Sequence, residues 1–152
     1  MKKILFLFFI FCNLITFSCN CRERDFNEEI KNSNLIFVGK VINLSIIKID
    51  PKNKLEFNVP LYYKKVEFLI EKIYKGKRKC ETIIIYTGLG NGDCGFNFII
   101  NTSYIVYCDK KNKDFNSNVF DKVRNFYYTS ICNRTCLFNS SEEKLLNEKF
   151  FN

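Results

Sequence analysis

The chain opens on Lys2 and Lys3, followed by an unbroken apolar run from Ile4 to Phe11 that resumes at Leu14, Ile15 and Phe17. The run is short for a spanning helix and ends in small polar residues. Thr16 and Ser18 sit three and one positions before Cys19, as a leader peptidase requires. The pattern predicts a secretory signal peptide over residues 1–18 and one mature domain over 19–152. Ile15-Thr16-Phe17-Ser18-Cys19 also reads as a loose lipobox, which would turn Cys19 into a lipid-anchored N-terminus. Beyond Cys19 the pattern becomes short and alternating. Phe26 and Ile30, four apart between acids, predict a short amphipathic helix over 25–32. Leu35 to Leu44 predicts a strand, with Gly39 marking a bulge or bend. Ile46 to Asn58 is polar and carries the Asp50-Pro51 turn.

Leu61 to Tyr74 predicts a long strand. Val66, Phe68 and Ile70 alternate and Ile73 falls out of phase, the mark of a bulge. Thr82 to Thr87 predicts a fully apolar strand, Gly88 to Gly92 a loop, and Phe96 to Ile100 and Tyr104 to Cys108 two further strands joined by a turn over 101–103. Asp109 to Asn118 reads as a polar loop. Ser140 or Ser141 caps a helix to Phe151, with Glu142 and Glu143 in its first turn and Leu145 and Leu146 turned inward. About five strands, one bulged, between two terminal helices predict a mainly β fold: an OB-like closed five-stranded barrel.

Composition narrows the chemistry. The chain has 152 residues, a formal charge of +8, eight cysteines and no histidine. One domain fits this length, and 47% hydrophobic residues argue against disorder. Without His there is no Ser-His or Cys-His nucleophile pair and no His-ligated metal site. Abundant Lys, Asn, Ile and Phe suggest AT-rich coding, so the basic excess reads as a solvated surface and no nucleic-acid partner is expected. Gly88-Leu89-Gly90-Asn91-Gly92 follows a strand, but no helix pattern follows it, so it is a loop and not a phosphate cradle. Glu28-Glu29 and Glu142-Glu143 complement helix dipoles; they do not form a paired-carboxylate site, and no enzyme is expected. Asn101-Thr102-Ser103 and Asn133-Arg134-Thr135 match the glycosylation sequon.

Cleavage before Cys19 removes Cys12 and leaves Cys19, Cys21, Cys80, Cys94, Cys108, Cys132 and Cys136. The spacings are C-x-C, long gaps and C-x3-C, not the C-x2-C pairs of zinc knuckles. An exported chain predicts disulfides. Seven is odd, so one thiol is free, pairs between chains, or is Cys19 itself held by lipid.

An ordered set of short motifs carries a family resemblance. Cys19-Asn20-Cys21 is followed by Asn34-Leu35-Ile36-Phe37-Val38-Gly39-Lys40-Val41, then Val66-Glu67-Phe68 and Glu71-Lys72-Ile73-Tyr74-Lys75-Gly76. Tyr86-Thr87-Gly88, Cys94-Gly95-Phe96, Tyr104-Ile105-Val106-Tyr107 and Thr129-Ser130-Ile131-Cys132 complete it. This order resembles the tissue inhibitor of metalloproteinases family in a compact, bacterial-type form with one netrin-like domain. The resemblance implies an OB-like barrel of the netrin type. It also implies bridges Cys19–Cys94 and Cys21–Cys132, with Cys80, Cys108 and Cys136 lacking clear counterparts.

The resemblance implies a function without a cofactor of its own. The freed α-amino group and carbonyl oxygen of Cys19 would chelate the catalytic zinc of a target metalloendopeptidase, displacing its water. An α-amino pKa near about 8 makes the neutral nitrogen accessible. Asn20 would enter the protease's specificity pocket. Cys21, Asn91, Gly92 and Asp93 would supply further contacts. The expected protein is a secreted or periplasmic monomer whose partner is a zinc metalloprotease. Arg22, Glu23 and Arg24 depart from the apolar-leaning residues that the animal inhibitors carry there. The alternative is a netrin-like interaction module or surface lipoprotein, in membrane contact only if Cys19 is lipidated. A blocked amine and an alkylated sulfur would then forbid the chelate.

Overall fold

The elements follow one another as α1 (Phe26–Asn32), β1 (Leu35–Ile49), β2 (Leu61–Lys75), β3 (Thr82–Thr87), β4 (Ser103–Lys111), β5 (Phe126–Tyr128), β6 (Cys136–Leu137) and α2 (Ser140–Phe151). This is a computed structural model, and it describes residues 19–22, 24–49, 61–77, 80–111 and 126–151. The expected leader over 1–18 and the Asp50-Pro51 turn lie outside the described residues.

The protein is mainly β. Its strands form one six-stranded sheet in the order β1-β2-β3-β5-β4-β6, and β1 also pairs with β4. That extra pairing closes β1, β2, β3, β5 and β4 into a ring of five strands. All the pairings are antiparallel except β3 with β5.

β1 explains why Leu35-Ile36-Phe37-Val38 is uninterrupted by polar residues. Its successive side chains point to opposite faces, and both faces are covered. Leu35 and Phe37 join Val66, Phe68, Ile85, Phe98, Tyr104 and Val106 in one core. Ile36 and Val38 join Ile30 of α1, Leu146 of α2, Tyr74, Ile105 and Tyr107 in a second. Each fully buried aliphatic or aromatic side chain contributes roughly 1.5–3 kcal/mol. Edge-on ring contacts order the first core: Phe37–Phe68 at 5.4 Å, Phe68–Phe98 at 5.2 Å and Phe98–Tyr104 at 4.9 Å between centroids.

The register of β1 against β2 shifts between Ile36 and Phe37, between Val38 and Gly39, and between Val41 and Asn43. The first shift skips Tyr74 on β2, beside the residue where the sequence alternation slips. Gly39 sits where the strands crowd: a Cβ there would lie 2.9 Å from the Leu69 carbonyl and from the Phe37 ring.

Several sequence expectations change. Phe96 to Ile100 is not a strand. Phe98 is buried in the core and Phe96 packs against it, while Ile99 and Ile100 are exposed; the Phe96 N–H donates to the Thr87 hydroxyl and the Ile99 N–H to the Tyr104 hydroxyl, not to a ladder. β1 runs past Leu44 to Ile49 because residues 44–49 pair one for one with β2 as far as Leu61. β4 runs past Cys108 because Asp109, Lys110 and Lys111 pair with β5. The cap of α2 is Asn139, not Ser140 or Ser141: its side-chain oxygen accepts from the Glu142 N–H at 2.8 Å. Within that helix Leu146 is buried and Leu145 is exposed.

Candidate functional site

Three chain segments meet around the cysteines. The first is the extended stretch 19–22. The second is the loop from Gly88 to Gly95, and the third is the turn from Ser130 to Asn133. Bridges join them: Cys19 to Cys94 with Cα atoms 5.3 Å apart, and Cys21 to Cys132 at 5.0 Å. These separations suit a disulfide. The bridges span 75 and 111 residues, and loops of that length are worth about 4–5 kcal/mol each on a chain-entropy model.

The loop is built around one carboxylate. Asp93 accepts from the N–H groups of Leu89 at 2.6 Å, Gly90 at 2.7 Å and Gly95 at 3.1 Å. Partial burial pushes its carboxyl up, but these donors outweigh burial and hold it below the usual range. Gly95 has no room for a side chain, because a Cβ would run into the Gly88 carbonyl. Cys94 itself adopts a left-handed backbone, φ 58°, which costs a non-glycine residue roughly 1–2 kcal/mol. The bridge and the Ile131 N–H, donated to the Cys94 carbonyl at 2.9 Å, hold it there. Burial first, and then the charge of Asp93, raise the pKa of Tyr63 on β2.

The turn is anchored from below. Asn133 accepts from the Ser130 N–H and hydroxyl, and its amide donates to Glu29 at 3.2 Å. Glu29 is fully buried in α1, where it also pairs with Arg24 at 3.1 Å. The acid that the sequence assigns to a helix dipole is therefore a tie between α1, the turn and the segment leaving Cys21. Glu142 of α2 acts likewise. It accepts from two nitrogens of the Arg134 guanidinium, at 2.6 and 2.8 Å, and from the Tyr107 hydroxyl at 2.5 Å. The sequence flags neither acid as buried; adjacency to a second Glu at a helix start hides it.

Between the two tied cysteines stands Asn20, exposed. Asn91 and Gly92 are exposed on the neighbouring loop, linked to Cys19 through Cys94. Asp93 directs its carboxylate back into its own loop. Ile131, to which the sequence assigns no contact role of its own, is 49% exposed next to Cys132. The two bridges lie against each other: the sulfur of Cys19 is 3.9 Å from those of Cys21 and Cys132. All four sulfurs fall within 4.8 Å of one another. Cys80 is exposed, Cys108 buried and Cys136 half-buried, and these three are the free cysteines among the described residues.

No family model matches the chain, and no curated protein matches it. Among the described residues, no helix is long and apolar enough to cross a membrane.

Proposed function

We propose that this chain is a secreted inhibitor of zinc metalloendopeptidases, acting through the backbone of Cys19. The observation that carries the reading is the double tether of residues 19–21: both cysteines are bridged to anchored segments while Asn20 between them stays exposed. A terminus so held loses little conformational freedom on docking, which favours tight binding. After cleavage before Cys19, its α-amino nitrogen and carbonyl oxygen are spaced for a five-membered chelate on the open position of a catalytic zinc. Asn20 then enters the substrate pocket, and Asn91, Gly92 and the loop held by Asp93 lie alongside. The protein contributes ligands and rigidity, and the protease contributes the metal; no catalysis by this chain is needed.

The closed ring of five strands supports the finer reading of an OB-like, netrin-type barrel. The bridges support export to an oxidising compartment. A sulfur engaged with Cys94 is unavailable for a lipid thioether, which favours a free N-terminus over a lipidated one. The reading is tested with mature protein from a secreting host, its N-terminus fixed by mass. It should inhibit at least one zinc metalloendopeptidase. One alanine added before Cys19 should weaken inhibition at least about 100-fold, since the amine no longer reaches the metal. Equal inhibition by the extended protein would overturn the mechanism.

A further inference from the structure

The four bridged cysteines bring their sulfurs closer together than their spacing in the chain reveals. Zinc held by four thiolates at about 2.3 Å separates the sulfurs by about 3.8 Å. Cys19 already stands 3.9 Å from Cys21 and from Cys132, and no sulfur of the four is more than 4.8 Å from another. Only the two bonded pairs need to open, and Cα separations of 5.3 and 5.0 Å allow that by side-chain rotation. Beside Cys21, Cys94 and Cys132 the backbone also has ties that do not involve sulfur. Asp93 holds the Cys94 loop, Ser130 and Asn133 hold the Cys132 turn, and Arg24 on Glu29 holds the segment after Cys21.

We propose that, with both bridges reduced, Cys19, Cys21, Cys94 and Cys132 form a tetrathiolate site for one zinc-class divalent cation. The reductant is a dithiol. Each bridge takes two electrons and two protons from one dithiol, which becomes its cyclic disulfide. The four thiols then lose their protons to solvent as the cation binds. A disulfide oxidant reverses the sequence: each pair of thiolates gives it two electrons and re-forms its bridge, the oxidant leaves as a dithiol on taking two protons from solvent, and the ion is released. The junction would thus have two closed states, one held by sulfur–sulfur bonds and one by a metal, each tying the same three segments together. Metal binding of this kind couples to folding, so the ion would restore the order that reduction removes.

The test uses the mature chain with Cys80→Ser, Cys108→Ala and Cys136→Ser, reduced by excess dithiol without oxygen and titrated with Co²⁺ and then Zn²⁺. The expected result is saturation at one equivalent. Sulfur-to-cobalt charge transfer and tetrahedral d–d bands should appear, and zinc should displace the cobalt. Resistance to proteolysis should return with the metal. Adding Cys94→Ser or Cys132→Ser should weaken binding at least about tenfold and alter the cobalt spectrum. Failure to saturate at one equivalent, equal binding by either variant, or a loaded chain as protease-sensitive as the reduced apo chain would overturn the proposal. A reduced chain that stays insoluble with and without metal overturns it too.

Discussion

The side-chain amide of Asn133 donates to the buried carboxylate of Glu29 across 104 residues of sequence. That bond ties the turn carrying Cys132 to the helix that follows Cys21, so the second bridge joins segments that are already aligned. Asn133 also orders Ser130. Asn133→Ala should leave Glu29 and the Ser130 N–H short of partners and cost about 1–3 kcal/mol, read as a fall of several degrees in Tm. An unchanged melting curve would mean that the bridge alone positions the turn.

Glu142 predicts an acid limb. Burial raises its carboxyl, but the hydrogen bonds from Arg134 and Tyr107 and the Arg134 charge outweigh burial and lower it. A depressed folded-state pKa contributes stability that is complete above the ordinary Glu value and lost as pH falls through the folded one. Glu142→Gln should cost on the order of 2 kcal/mol at neutral pH, less than for a fully enclosed pair because Arg134 is partly exposed. It should also flatten the decline in stability below pH 4.5. Denaturant titrations at stepped pH check both effects.

Asp93→Asn removes one of the two acceptor oxygens that serve Leu89, Gly90 and Gly95. The loop should loosen beside Cys94 while the strands keep their packing. Inhibition of a responsive metalloendopeptidase should weaken about tenfold with little change in Tm. A large loss of stability with intact inhibition would assign the loop to the fold alone.

Thiol labelling of the native, oxidised protein should rank the free cysteines. Cys80, exposed, should react first. Cys136 is half-buried, and burial followed by the Glu142 charge raises its thiol pKa, so it should follow slowly. Cys108 should stay protected until global unfolding, because complete burial, and then Asp109, push its thiol well up. Peptide mapping after timed alkylation gives the order. Early labelling at Cys19, Cys21, Cys94 or Cys132 would contradict the bridges.

Potency should also rise with pH through the titration of the Cys19 amine, near about 8, because only the neutral nitrogen binds metal. Inhibition constants measured across pH 6.5–9 on a pH-tolerant protease, corrected for its own profile, check the sign. A flat profile would point to contacts other than the amine.

The strands with strong patterns were legible. Leu61 to Tyr74 and Thr82 to Thr87 read correctly because alternation or an unbroken apolar run leaves a clear mark, and the slip at Ile73 lies beside a real register shift. Phe96 to Ile100 misled because two phenylalanines can enter a core from an irregular segment as well as from a strand. β5 and β6, three and two residues long, are too brief to leave a period. The cysteine partners came from the resemblance, since spacing fixes no connectivity. The approach of all four sulfurs was beyond the sequence altogether: C-x-C reports a local distance, while the meeting with Cys94 and Cys132 is made by the folded loops.

β1 is flanked by β2 and β4 on its edges and by the two cores on its faces. Residues 35–38 therefore have no free side on which an altered side chain could be accommodated. Randomised libraries of this protein should yield almost no survivors there, while the exposed rim at Asn20, Asn91 and Ile131 can be rewritten widely. On the proposed function, the same division would let the contact edge be redrawn for another target without disturbing the spine that holds it up.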